Sequence, residues 1–195
     1  VFRLGVGNMF THNLILALWV IWLLYWLVAA LGSKPVRQRE GALTRAAFLV
    51  QLVVIAILLA PLRWSGWLWM QLIGGGWTRY WIAVTIVFIG LVLSIWARRM
   101  LGGNWSGSVT VKEGHELVQS GPYRSIRHPI YTALLLMILG TGLAAGRVHG
   151  LLAFLIALSA LWLKSRMEER WMGAEFGERY AAYKRKSWAL IPFVL

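Results

Sequence analysis

The 195-residue chain has no cysteine and no aspartate, and its only acidic residues are seven glutamates. Without cysteine there can be no disulfide, no thiolate metal site and no cysteine nucleophile. Charged residues of both signs make up 14% of the chain and hydrophobic residues 59%, which excludes an ordinary soluble domain. Also missing are a Gly-rich nucleotide fingerprint after a strand, a phosphate loop ending in Gly-Lys-Ser/Thr, and a paired-His zinc motif. Any cofactor chemistry must use a site built from helices and loops; no Rossmann domain and no metal are expected.

The apolar residues instead come in long blocks. A spanning helix needs roughly 20 mostly apolar residues, because lipid leaves no other way to satisfy the backbone. Residues 14–31 meet this without a charge; 46–62, 80–96 and 129–145 follow, each slightly short. Residues 151–163 reach full length only if the helix continues through Lys164–Trp171. The expected fold is therefore an all-α integral membrane protein with about five transmembrane helices. Lysines and arginines number 16 in one alternating set of flanking segments and 4 in the other. Positive charge stays inside, so the N-terminus is expected outside and the C-terminus in the cytoplasm. All seven glutamates fall on that same inner side, and four or six spans would destroy the alternation.

The net charge of +13 is read as topological anchoring against anionic headgroups of the membrane lipids, with no nucleic acid as partner. Trp64, Trp67, Trp69, Trp77, Tyr80 and Trp81 gather around the second outer loop, where an aromatic belt belongs. The first block does not resemble a cleaved signal, since Lys34, Arg37 and Arg39 follow it and do not precede it.

One membrane domain, 1–195, is expected in two functional parts. Residues 1–96 supply three spans with little chemistry. Residues 97–195 supply the longest polar loop, two spans and a polar tail. The loop 97–128 carries Gly-Asn-Trp-Ser at 103–106, Gly-His-Glu-Leu-Val at 114–118 and Gly-Pro-Tyr-Arg-Ser-Ile-Arg-His-Pro-Ile-Tyr at 121–131. Singly, its histidines, arginines and tyrosines could be interface anchors; their density beside the membrane points to a site. Pro129 opens the fourth span, where its fixed φ and missing N–H cost nothing. Beyond the fifth block, Lys164 and Glu168 are four apart and share a helix face. Ionisable groups at the depth where a helix leaves the hydrocarbon are functional candidates.

These motifs, followed by Glu168-Glu169, Phe176-Gly177, Tyr180, Tyr183 and Pro192, resemble the isoprenylcysteine carboxyl methyltransferase family. The membrane phospholipid N-methyltransferases are its wider relatives. The resemblance covers about residues 100–195. It implies a membrane methyltransferase using S-adenosylmethionine, with His115, Glu116, Leu117, Val118, Tyr123, His128, Pro129, Ile130, Tyr131 and Glu168 around the methyl donor. Four residues before that Glu the family usually places an acceptor-contacting Arg; here Lys164 stands there, a point charge in place of a fork. Lys164 and Glu168 are the implied catalytic pair. The expected acceptor is a lipophilic small molecule or lipid-anchored group entering from the bilayer between the last spans, with the donor entering from the cytoplasm. A prokaryotic inner membrane is the expected setting. Three other readings stay open: a phospholipid-headgroup N-methyltransferase, with Glu168, Glu169 or a histidine as base; an NADPH-dependent sterol-type reductase; and a non-catalytic lipid-binding membrane protein.

Overall fold

The computed structural model describes residues 6–31, 36–39, 41–60, 62, 65–102, 105, 110–112 and 116–192, with backbone alone at 6–9, 36–39 and 110–112. Five long helices carry the fold: α1 (Val6–Ala30), α2 (Ala42–Leu59), α3 (Trp77–Leu101), α4 (Pro129–Ala145) and α5 (Val148–Phe176), followed by the short α6 (Glu178–Lys184). Helices α1, α2, α3 and α5 are long and apolar enough to cross a membrane, and α4 is a shorter apolar helix of 17 residues. Each expected apolar block is therefore a helix. The fifth runs unbroken through Lys164 to Phe176, about 43 Å at 1.5 Å per residue, which is longer than the hydrocarbon alone requires.

Several helix boundaries differ from the sequence reading, and one of them bears on the site. Helix α3 continues past Trp96 to Leu101, because Arg98 and Arg99 suit the last turn of a helix and do not end it. The loop after it is correspondingly shorter than 97–128. Part of that loop is not helical: β2 (Thr110–Lys112) pairs antiparallel with β1 (Val36–Arg39) from the first connection. No alternating apolar pattern marks either three- or four-residue segment, so nothing in the sequence pointed to this ribbon.

Helices consecutive in sequence alternate in direction, so the packed pair α1 and α3 run parallel. Phe10 of α1 and Trp81 of α3 meet with ring centroids 6.5 Å apart near the starts of their helices. At the other end the Arg98 guanidinium donates to the carbonyls of Gly102 and Ala29, closing the last turns of α3 and α1 together. That end, the site end, also holds β1–β2, the start of α4 and the last third of α5.

Helix α4 is central and is packed by small residues. A Cβ on Gly90 of α3 would come within 2.7 Å of the Ala133 carbonyl oxygen, and one on Gly140 within 2.8 Å of the Ala83 oxygen. These contacts let the two backbones approach closely, the usual device between helices in lipid, where apolar side chains gain little by leaving the bilayer. Gly142 and Gly150 make the same contact between α4 and α5, each Cβ position lying 2.7 Å from the other's carbonyl oxygen. Gly146 ends α4 in the left-handed conformation, φ 61°, and turns the chain directly into α5.

At the end opposite the site, His149 lies in the first turn of α5, not in a loop as the apolar blocks suggested. It is buried, and its Nδ1 is 2.8 Å from the Leu58 carbonyl oxygen of α2. Trp69 stacks on it at 6.2 Å and itself lies 3.8 Å beneath the Arg147 guanidinium. Trp69 thus packs on the start of α5, while Trp67 and Trp77 remain largely exposed.

Candidate active site

The start of α4 is assembled by a tight turn. Gly121 takes φ 57°, which leads into one 3-10 turn, Gly121–Arg124. Pro122 and Tyr123 are buried there, and Tyr123 packs with Ala97 and Ile130, with Val118 against the same cluster. The C-terminal tail then folds back alongside. The backbone N–H groups of Arg127 and His128 donate to the carbonyls of Trp188 (2.8 Å) and Ala189 (3.1 Å), and the Trp188 N–H donates to Ser125 (2.9 Å). The Tyr183 hydroxyl donates to the Tyr123 carbonyl at 2.5 Å, and Thr132 Oγ1 donates to that of Leu190 at 2.6 Å. Burial pushes the Tyr183 hydroxyl up to about 12, with the Glu169 charge adding and the Arg127 charge opposing, so it remains a donor at any ordinary pH.

This frame places His128 between two carboxylates from one turn of α5. Its Nδ1 is 3.3 Å from Glu168 Oε2 and its Nε2 is 3.6 Å from Glu169 Oε1. The first is a long hydrogen bond. The second exceeds hydrogen-bond length, and Nε2 is buried with no hydrogen-bond partner among the described residues. Burial alone would lower the His128 pKa, but the Glu168 hydrogen bond and the charges of Glu168 and Glu169 outweigh it, and the imidazolium is favoured above its ordinary range.

The two glutamates are held differently. Glu169 is deeply buried and bound by two cations: Arg127 Nε lies 2.6 Å from Oε1 and Lys184 Nζ 2.9 Å from Oε2. Arg127 also donates to the Ser187 carbonyl, so the same side chain fixes the tail. Glu168 accepts from the Tyr131 hydroxyl at 2.5 Å through Oε1 and keeps 22% of its side chain exposed. Each of its oxygens has a further lone pair. A partly open carboxylate backed by a closed ionic network can receive a cationic group, and the Tyr131 ring, stacked 5.5 Å from the His128 ring, adds an aromatic face.

Lys164 reaches the same region from one helical turn earlier. Its Nζ lies 5.5 Å from the Phe48 ring of α2 and 5.6 Å from the Tyr131 ring, and its charge acts on Glu168. The structure thus brings together Tyr123, His128, Pro129, Ile130, Tyr131, Lys164 and Glu168, with Val118 on the adjoining cluster. Leu117 is half-buried and Glu116 is exposed. His115 lies outside the described residues. Sequence reasoning left three members of the cluster out of the site. Arg127 looked like an anchor, Glu169 like no more than a spare base, and Lys184 like one of many tail cations. The adjacent Glu168-Glu169 pair was the available signal, since two neighbouring carboxylates on a helix leaving the membrane require partners.

Comparison with known proteins identifies the family. The phospholipid methyltransferase family model matches residues 78–179, from the start of α3 to the start of α6. Cobalt-zinc-cadmium resistance protein CzcN of Cupriavidus metallidurans is 29% identical over 157 residues, 80% of this chain and 68% of that protein. Protein-S-isoprenylcysteine O-methyltransferase B of Arabidopsis thaliana is 26% identical over 122 residues, 60% of this chain and 62% of that one. A solved structure of the eukaryotic intramembrane Ras methyltransferase, isoprenylcysteine carboxyl methyltransferase, shares the fold. Its TM-score is 0.52 at 21% identity, over 87% of this chain and 53% of that chain. The chain thus spans about half of that structure and under two thirds of the plant enzyme. With over half its length matched by the family model, including every member of the His128 cluster but Lys184, the chain belongs to the phospholipid methyltransferase family, and it is similar to isoprenylcysteine carboxyl methyltransferases.

Proposed function

We propose that the chain transfers a methyl group from S-adenosylmethionine to a lipophilic or membrane-anchored acceptor at the cytoplasmic face. The observation that carries this is Glu168: a partly open carboxylate held by His128 and Tyr131 inside the stretch that the family model covers. The donor set fits a cofactor that brings both an ammonium and a sulfonium, because it combines an anionic acceptor with an aromatic face. When bound, S-adenosylmethionine supplies a methyl on a positively charged sulfur, which a nucleophile can take by direct displacement.

The chain's own residues do the remaining work. Glu168 would hold the ammonium end of the donor, with His128 and Tyr131 fixing its orientation. Tyr123, Ile130 and Val118 would close the apolar side, and by the family pattern His115, Leu117 and Pro129 would also belong to the residues around the donor. Glu116 would lie at the rim. Lys164 would sit beside the acceptor. A carboxylate or thiolate acceptor needs no base, since both opposite charges vanish in the transition state and a poorly hydrated site favours their loss. The contribution of the protein is then mainly alignment of donor and acceptor.

The cytoplasmic assignment is supported by the charge asymmetry, the site end carrying the sixteen lysines and arginines of the richer set of segments. A prokaryotic inner membrane is the corresponding setting. The family description favours one second reading, methyl transfer to a phospholipid amine. Incubating the purified protein with methyl-labelled S-adenosylmethionine and either a prenylated cysteine analogue or phosphatidylethanolamine tests both. Label in the prenylcysteine ester supports the proposal, label in the phospholipid supports the second reading, and label in neither counts against methyl transfer to these acceptor classes.

A further inference from the structure

The ring of His128 meets a carboxylate oxygen at each nitrogen, Glu168 at 3.3 Å and Glu169 at 3.6 Å. A neutral imidazole has one N–H and one lone pair. With its proton on Nδ1 the lone pair would face Glu169; with the proton on Nε2 it would face Glu168. Either neutral tautomer sets a lone pair against a carboxylate in a buried place, and only the imidazolium suits both sides. The two carboxylates nevertheless differ. Glu169 is buried, bound by Arg127 at 2.6 Å and Lys184 at 2.9 Å, and closed to any ligand, whereas Glu168 is partly open.

From this we infer that Glu169 is a positioning residue: its buried charge, 3.6 Å from Nε2 of His128, favours a proton on that nitrogen, so that Nδ1–H belongs to an imidazolium aimed at Glu168, which fixes Glu168 for the donor. The connection to the donor rests on the proposed methyltransferase reading; the effect on His128 does not. A charged donor makes a hydrogen bond roughly twice as strong as a neutral one, so the state of His128 decides how firmly Glu168 is held.

The other groups around His128 do not supply this proton control. Tyr131 donates its own proton to Glu168. Burial pushes Tyr123 and Tyr180 well above the ordinary phenol range, and Tyr183 up to about 12, so all three stay neutral through the physiological range. Arg127, Lys184 and Lys164 are cations that oppose a charge on His128. Glu169 is the group that offsets them on the Nε2 side.

The test is a nitrogen-15 NMR titration of histidine-labelled protein in detergent, with His128 assigned by His128→Gln, alongside calorimetry with S-adenosylhomocysteine at pH 6 and pH 8. In the native chain His128 carries both protons at pH 8 and affinity is the same at both pH values. In Glu169→Gln, His128 is neutral at pH 8, and affinity falls about tenfold there while staying near native at pH 6, the loss expected of a weakened charged hydrogen bond. Glu169→Asp, which keeps the charge, behaves as the native chain. A His128 that is neutral at pH 8 in the native protein overturns the inference without need of any variant. So does a Glu169→Gln protein that loses affinity equally at both pH values, as a merely structural residue would. Failure of the native chain to bind S-adenosylhomocysteine at either pH counts against the methyltransferase reading instead, and the titration still decides the role of Glu169.

Discussion

His128 Nδ1 and Glu168 Oε2 face each other across 3.3 Å, one at the N-terminal boundary of α4 and the other between five and six turns into α5, roughly 3.6 residues to the turn. The pair exists because the Gly142–Gly150 contact brings α4 and α5 together and the tail segment 187–190 holds His128 in place from the other side. Glu168 is the member of that pair with room for a ligand.

Replacing Glu168 by Gln removes the charge that receives the donor and leaves the shape. A charged hydrogen bond contributes about 1.5–3 kcal/mol, so affinity for S-adenosylhomocysteine should drop about tenfold to a hundredfold. Calorimetry on protein that elutes as a single detergent-solubilised species checks this. Tyr131→Phe removes one neutral donor and keeps the ring, and should weaken binding by a few-fold only.

The pH dependence has a definite sign. The folded-state pKa of His128 is raised, so its contribution is complete below the ordinary imidazole value near 6.5 and disappears as pH rises through the higher folded value. Donor-site affinity and thermal stability should therefore be flat in mild acid and decline together on the alkaline side. An affinity that instead rose from pH 6 to pH 9 would contradict the ionic arrangement around His128.

Close packing predicts where bulk is not tolerated. Gly140→Leu inserts a side chain where even a Cβ lies 2.7 Å from Val87 Cγ2 and 2.8 Å from the Ala83 oxygen. Overpacking of this kind costs about 1–3 kcal/mol or more, and the variant should lose thermal stability in detergent by static light scattering. Leu at the open position Gly41, where nothing lies within 4 Å, should leave stability nearly unchanged.

His149 separates stability from function. His149→Ala loses the 2.8 Å contact to Leu58 and the stacking under Trp69 at the end opposite the site. It should lower the melting temperature while leaving S-adenosylhomocysteine affinity intact. Lost affinity at unchanged stability would place the site at the wrong end of the bundle.

Much of this was legible in the sequence. Apolar runs located all five long helices, and Pro129 marked the first turn of α4. The helical continuation past Leu163 followed from the shortfall in span length and placed Lys164 and Glu168 together. Residues beside one another in sequence, such as His128, Pro129 and Ile130, could be assigned through a linear motif. What stayed hidden depends on distant segments meeting. The Arg127–Glu169–Lys184 network joins three elements 42 and 15 residues apart, and no local periodicity records it. The β1–β2 ribbon is too short to carry a pattern. His149 looked like a loop residue because α5 begins three residues before its apolar block, capped by the turn at Gly146.

The most direct test of the account is titration calorimetry of the folded, detergent-solubilised chain with S-adenosylhomocysteine, using NADPH as the comparison ligand. The account predicts saturable one-site binding of S-adenosylhomocysteine, lost in Glu168→Ala, and no binding of NADPH. Binding of NADPH alone, or of neither ligand by protein shown to be folded, would contradict it.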